Sequence, residues 1–266
     1  MILSRRVALN GVQLDGIDNR ILIQGIRPSA GKEQISAVSI YGGTGQRVTG
    51  QHRDTLDVSV ILSMRIRKTD LAARSELFEK VCGWAASAAN GGWLTLNYKQ
   101  NRRLRVRCAQ LPDEGDLREW TNRYTIVFRA YSVPYWQQIT PETLTVTGAS
   151  SATQTFTVPG TTQSVLGLEF LNTSSSTCDT FSITAGSSTF SLTDLGLAAG
   201  ETLVVDHTAD GILRIRIHGS SWRSVMAKRT AESSDDLYVN PGEISVSMTA
   251  QRAGTLTISC AGRFAG

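Results

Sequence analysis

Thr55-Leu56-Asp57-Val58-Ser59-Val60-Ile61-Leu62-Ser63-Met64 places apolar residues at nearly every second position. Leu56, Val58, Val60, Leu62 and Met64 alternate with Asp57, Ser59 and Ser63, and only Ile61 breaks the pattern. Period two sends successive side chains to opposite faces, so the stretch predicts a strand with one buried face. Downstream, Leu104, Val106 and Cys108 alternate with Arg103, Arg105 and Arg107 in the same way. Tyr124, Ile126, Phe128 and Ala130 repeat the signal within 120–131, and 20–26, 34–40 and 93–98 are further strand candidates.

Between these strands lies one helix, predicted near 70–89. Leu71, Phe78, Cys82 and Ala85 fall on one side of a helix, and Leu77, Val81, Trp84 and Ala88 widen that stripe. Thr69 or Asp70 can accept from the first free amides, and Asn90-Gly91-Gly92 tolerates a left-handed stop. Residues 41–54, from Tyr41-Gly42-Gly43-Thr44-Gly45-Gln46 onward, are polar and Gly-rich, which predicts a long loop or a flexible hairpin. Loops of that length carry function or lack order.

The half beyond residue 136 reads as strands throughout. Short alternations recur, among them Leu168/Phe170, Phe181/Ile183, Leu203/Val205, Ile215/Ile217, Ile244/Val246/Met248 and Leu256/Ile258/Cys260. Turn signals such as Pro159-Gly160, Ala199-Gly200, Asp210-Gly211, Asn240-Pro241-Gly242 and Ala253-Gly254 separate them. This pattern predicts an antiparallel β-sandwich or jelly roll.

Composition divides the chain at the same place. Of its 266 residues, 1–136 hold 20 Lys+Arg and 12 Asp+Glu, a net charge of +8, whereas 137–266 hold 7 and 11, a net charge of −4. Ser and Thr supply 39 of the last 130 residues. Two domains with different surfaces, 1–136 and 137–266, are the simplest account. Pro134 and Pro141 mark the boundary.

Several function classes are disfavoured. No apolar run approaches the roughly 18–20 residues that span a bilayer, so no membrane insertion is expected. Met1–Arg6 has no apolar segment behind its charges, which predicts no cleaved signal peptide. Cys82, Cys108, Cys178 and Cys260 are far apart, as expected of reduced thiols in a protein made in a cytosol. The chain lacks a nucleophile elbow, a phosphate loop and a zinc-protease helix motif. His52, His207 and His218 lie in separate segments, and His207 reads as an exposed strand-end residue. No enzyme activity, cofactor or metal is expected.

The arginines carry more information. Arg103, Arg105 and Arg107 share one strand face, with Arg65 and Arg67 as candidate neighbours. Three readings stay open: a solvated face, a protein interface pairing guanidinium with carboxylate, and attraction to a nucleic-acid backbone. The strand lacks interleaved aromatics, which argues against specific nucleic-acid binding.

With these parts in order, the chain resembles the distal tail proteins of phages with long, non-contractile tails. The resemblance rests on the Gly-rich segment at 42–50, then Arg53-Asp54-Thr55-Leu56-Asp57-Val58-Ser59-Val60, the helix ending in Trp84, and Gly92-Trp93-Leu94-Thr95-Leu96. Phe128-Arg129-Ala130-Tyr131-Ser132-Val133-Pro134-Tyr135-Trp136 closes the first domain, and Leu237-Tyr238-Val239-Asn240-Pro241-Gly242-Glu243 matches a late turn of the second. The family's usual Asn after that turn is Ile244 here.

The resemblance implies a mostly β protein: a ring-forming N-terminal domain with a single α-helix, followed by a galectin-like antiparallel β-sandwich. It implies a structural virion protein, made in the host cytoplasm, that forms a homo-hexameric hub at the tail end. Its partners would be the tail tube protein, tail-tip proteins and a receptor-binding protein. Arg103, Arg105, Arg107, Arg65 and Arg67 are then the candidate assembly interface. Gly43, Thr44, Gly45, Gln46, Arg47, His52 and Arg53 form a candidate contact loop that orders on binding. Pro134, Tyr135 and Trp136 are expected to act as an interdomain packing plug. The alternative function is a lectin-like adsorption protein, hinted at by His218 and Trp222, although Gly219-Ser220-Ser221 between them suggests a turn.

Overall fold

The structure, a computed structural model, describes residues 5–29, 33–39, 46–67, 69–112 and 123–265. The chain divides into two compact units, Met1–Trp136 with Ala265–Gly266, and Gln137–Phe264.

The first unit contains β1 (Val7–Leu9), β2 (Val12–Gln13), helix α1 (Leu14–Ile17), β3 (Ile21–Pro28), β4 (Glu33–Ser39), β5 (Gln46–Arg53) and β6 (Leu56–Met64). It continues through helix α2 (Leu71–Ala86), β7 (Gly92–Leu96), β8 (Arg102–Gln110) and β9 (Arg123–Ala130). The chain then passes through β10 (Trp136–Gln138). The main strand order is β2-β1-β7-β8-β9-β6-β3, with antiparallel pairing throughout. As predicted, β6 buries Leu56, Val58, Val60, Leu62 and Met64 and leaves the residues between them half-buried.

Helix α2 covers that apolar face. Asp70 caps it, its Oδ1 accepting from the Ala73 amide at 3.1 Å. Phe78 meets Tyr124 edge-on at 6.1 Å, and Trp84 meets Phe128 at 5.6 Å. The helix's buried residues are Arg74, Leu77, Val81, Trp84 and Ala85, whereas Leu71 is 62% exposed. The inward stripe is thus turned by about one residue from the predicted one. Two aromatic rings on β9 take the helix through Trp84 and Phe78, and Leu71 lies beyond their reach. Arg74 is buried at 3% exposure and donates from Nη2 to the Tyr124 hydroxyl at 2.9 Å. The expectation of a single helix needs one addition. The one-turn α1, capped by no side chain, precedes β3, and a single turn leaves no periodicity to read.

Of the two readings of the Gly-rich segment, long loop or flexible hairpin, the described residues take the hairpin, and β4 falls on the strand candidate 34–40. Residues 46–53 are a strand, β5, paired along its length with β4. Gln34, Ile35, Ser36 and Ala37 of β4 are all exposed. Residues 34–37 bury neither face, so the ribbon shows little hydrophobic alternation to fix its register.

The second unit contains β11 (Glu142–Val158), β12 (Ser164–Asn172), β13 (Phe181–Ala185), β14 (Ser188–Leu192), β15 (Thr202–His207), β16 (Leu213–His218) and β17 (Trp222–Ser224). A short 3₁₀ turn (Met226–Lys228) leads to β18 (Tyr238–Val239), β19 (Gly242–Cys260) and β20 (Arg263–Phe264). The order is β14-β13-β19-β12-β15-β16-β17, with β11 along β19. Residues 246–250 of β19 pair with β13, and residues 254–260 pair with β12. One long strand therefore belongs to both layers of the sandwich. The layers meet in a single core that includes Phe170, Phe181, Phe190, Leu203, Ile217, Met248 and Ile258. Phe170 and Phe181 touch across it with centroids 5.0 Å apart.

This arrangement overturns the reading of Ala253-Gly254 as a turn. Gly254 lies within β19, opposite both Ala149 and Asn172. A Cβ there would sit 2.4 Å from Phe170 Cζ and 2.5 Å from the Leu171 carbonyl oxygen. The glycine marks close approach of three strands rather than chain reversal.

Two predictions follow from this packing. Gly254→Ala forces Phe170 out of the core and lowers stability by about 1–3 kcal/mol, read as a lower urea midpoint for the second unit. In the first unit, Asp18 accepts from Arg20 Nε at 2.9 Å, Nη2 at 2.7 Å and its amide at 3.0 Å, and Lys80 lies 3.7 Å away. The Arg20 hydrogen bonds, chiefly from the side chain, hold the Asp18 carboxyl well below its usual 3.8. A lowered carboxyl stabilises above its unfolded value and loses that contribution as pH falls toward the folded one. Asp18→Asn therefore lowers the Tm at pH 7, and the gap to the wild type narrows below pH 3.8. A gap of constant size across that range overturns the assignment.

Candidate assembly and contact surfaces

With α2 on one face of the first unit's sheet, the opposite face carries the residues that alternate with the core. Arg103, Arg105 and Arg107 of β8 lie there together, as the sequence predicted. Arg105 pairs in register with Trp93 of β7, and Arg107 with Arg129 of β9. The Arg103 guanidinium stacks 4.0 Å from the Trp93 ring centroid, and Arg105 lies 5.7 Å from it. Burial pulls Arg103 below its ordinary pKa. No carboxylate among the described residues forms an ion pair with Arg103 or Arg107. Reading β8 alone missed the aromatic beneath the arginines because Trp93 comes from the neighbouring strand.

Arg129 extends the row and is neutralised. Its Nε and Nη2 donate to the two oxygens of Asp57 at 2.7 and 2.8 Å, a bidentate pair that raises the Arg129 pKa. Arg65 and Arg67 are not part of this group. Asp57, at one end of β6, is level with Arg107, whereas Arg65 follows Met64 at the other end. Eight residues of strand separate Asp57 from Arg65, about 27 Å.

The candidate contact segment divides similarly. Gly43, Thr44 and Gly45 lie outside the described residues. Gln46, Arg47 and His52 belong to β5. Arg53 places its guanidinium 5.1 Å from the Tyr135 ring centroid and donates to the Ala265 carbonyl at 2.7 Å. Pro134 is buried and Trp136 fully so, with Lys99 Nζ 5.0 Å from a Trp136 ring centroid. Burial lowers the Lys99 pKa.

In the second unit, His207 is not the exposed strand-end residue expected. Its Nε2 lies 2.7 Å from Asp236 Oδ2, and both side chains are about nine-tenths buried. Asp236 also accepts from the Leu237 amide at 2.8 Å, which anchors the segment leading to β18. Asp206, next in sequence, faces the other way and pairs with Arg214 and Arg216.

Gly219-Ser220-Ser221 does form the suspected turn, between β16 and β17. The turn nevertheless brings His218 and Trp222 into register. Their rings lie 4.4 Å apart at 32°, and the Arg216 guanidinium sits 4.1 Å from a Trp222 ring centroid. Trp222 remains 50% exposed. Glu201 braces the turn: its carboxylate accepts from Arg223 at 2.6 Å and occupies the space where a Cβ on Gly219 would stand, 2.7 Å away. The Ala198 amide and Arg223 together hold Glu201 below its ordinary pKa against the opposing effect of burial. Among the described residues no cluster of His, Cys, Asp and Glu could hold a metal ion.

No protein-family model and no curated protein sequence matches the chain. Solved structures do. The SPP1 Dit protein, described as a paradigm of the hub adsorption apparatus in phages infecting Gram-positive bacteria, superposes with a TM-score of 0.67 at 15% identity, over 96% of this chain and 98% of that one. Chains of the phage p2 baseplate in its activated conformation, with Sr and with Ca, each reach a TM-score of 0.51 at 8% identity. They cover 97% of this chain, and 97% and 98% of their own lengths. From end to end, the chain has the fold of a phage tail hub protein.

Proposed function

We propose that this protein is the structural hub at the distal end of a long, non-contractile phage tail, joining tube to tip as a homo-hexameric ring. The observation that carries the reading is the match of fold over both units, in order and nearly without remainder, to a hub of an adsorption apparatus. The open arginine face of the first unit supports it. A closed ring needs two different complementary patches on each copy. Arg103 and Arg107, ion-paired to no carboxylate among the described residues, suit the basic half of such a contact. Residues 43–53 form a second contact, toward the tail tube or tip. The role is architectural rather than catalytic, and its place is the virion.

The full-length protein is expected to scatter light as a species near six times the 28.8 kDa of one chain, or twice that for paired rings. Replacing Arg103, Arg105 and Arg107 together by Glu is expected to reduce it to a monomer without lowering its Tm by more than a few degrees. A wild-type protein that stays monomeric both alone and with purified tail tube protein overturns the ring. An undisturbed ring in the triple variant overturns the interface and leaves the hub reading standing.

A further inference from the structure

Sheet edges carry unpaired backbone groups, and among the described residues this chain covers or interrupts several of its own. The edge of β14 is covered by residues 228–234. The Thr230 amide donates to the Ser191 carbonyl at 3.0 Å and the Ser234 amide to the Thr189 carbonyl at 2.7 Å. The Ser233 and Ser234 hydroxyls accept from the Ser191 and Thr189 amides. β17 is three residues long, and β3 carries Pro28 and a register shift beside Gln24. β11 is different. It runs for 17 residues along β19, and from Thr143 to Val158 it holds no proline and no charged residue. Its register shifts end at Ser151, and the stretch from there to Thr157 is regular.

The registers settle which backbone groups of this stretch point outward. The Gln251 amide donates to the Thr180 carbonyl and the Gly186 amide to the Ser245 carbonyl, so Ser245, Ser247 and Thr249 of β19 turn their backbone toward β13. Ile244, Val246 and Met248 turn theirs toward β11 and meet Phe156, Gln154 and Ala152. Ser151, Thr153, Thr155 and Thr157 therefore aim their amides and carbonyls away from β19. None of these groups has a backbone partner among the described residues. All four residues are exposed, and Thr153 Oγ1 lies 2.9 Å from Ser247 Oγ, which steadies that face. On the other face Phe156 and Val158 belong to the core.

We propose that this edge pairs with the same edge of a second copy, antiparallel about a two-fold axis, and joins two sandwiches through one continuous sheet. The strand is complementary to itself. With Ser151 opposite Thr157 of the second copy, and Thr153 opposite Thr155, every outward residue falls in a hydrogen-bonded pair, about eight bonds in all. Sliding the register by about two residues leaves one outward residue of each chain without such a pair. Gln154 then lies on the axis, opposite itself. A charged strand would meet its own charge across that axis. This one brings only hydroxyls together, and threonine pairs of this kind stabilise a sheet. No charge on the edge selects a different chain, whereas the register closes on a second copy without remainder. A two-fold contact joins a patch to itself, but a closed ring joins unlike patches. The pairing thus lies outside the ring contact and stands whether or not the ring forms.

The test is sedimentation velocity on the full-length protein from about 5 to about 300 µM, where small interfaces dissociate. At the highest concentration the wild type is expected to have twice the mass of a Thr153→Lys, Thr155→Lys variant, whether that variant runs as one chain or as one ring. Each new lysine there faces a lysine of the other copy. Thr153→Lys with Thr155→Glu places lysine opposite glutamate in the same register and restores the doubled mass. Thermal melts check that all three proteins keep the fold. Gln154→Cys, on the axis, is expected to form a covalent dimer with oxidised glutathione that the wild type does not form. Equal masses for the wild type and the double-lysine variant overturn the proposal, as does a lysine–glutamate variant no heavier than the double-lysine one. Gln154→Cys protein that stays uncrosslinked overturns it without relying on the charged variants. An edge that pairs only with an added tail protein overturns it too, and assigns the strand to another chain.

Discussion

A sheet has two faces, and among its described residues the first unit has one long helix to cover them. That asymmetry governs what this half of the molecule can do. Helix α2 spends its buried stripe on β9 and β6, where Trp84, Phe78 and Leu77 meet Phe128, Tyr124 and the apolar row of β6. Every residue that alternates with that row is left on the far side. There, among the described residues, arginine, serine and threonine stand between the core positions. The same choice leaves Arg103 stacked on Trp93, with no ion-paired acid among the described residues.

The second unit solves its packing problem differently. It has no α-helix, only the short 3₁₀ turn Met226–Lys228, so its strands must cover one another. Two strands of 17 and 19 residues run side by side, and each half of β19 recruits a different set of partners. Gly254 allows the change of partners by removing the side chain that Phe170 would strike. The core consequently receives residues from both layers of a single folded-over sheet, and the outward faces stay rich in Ser and Thr.

Strict alternation with one buried face was readable wherever it occurred. The residues of β6, β8 and β9 announced both their secondary structure and their orientation, and Thr69-Asp70 announced the start of α2, with the structure choosing Asp70 as the cap. Three kinds of feature escaped. The β4–β5 ribbon was legible only as one of two alternatives, because Gln34–Ala37 bury neither side and give no alternation to fix the register. Gly254 looked like a turn because glycine signals both reversal and close approach, and only the partner strand tells which. Contacts between distant segments, such as Trp93 with Arg103, His207 with Asp236 and Arg74 with Tyr124, depend on register. The candidate arginine group suffered from the same blindness. Arg65 and Arg67 are near Leu62 in sequence, yet the antiparallel register puts them at the far end of the sheet from Arg103.

The strands that open and close the second unit are neighbours. Glu142 pairs with Cys260, and Ala265 is already grouped with the first unit, its carbonyl held by Arg53. The sandwich is in effect a large insertion whose entry and exit lie side by side. Such a module can be lengthened, decorated or exchanged through recombination without changing the span its host must bridge. That layout separates the part free to diversify from the part obliged to keep its geometry.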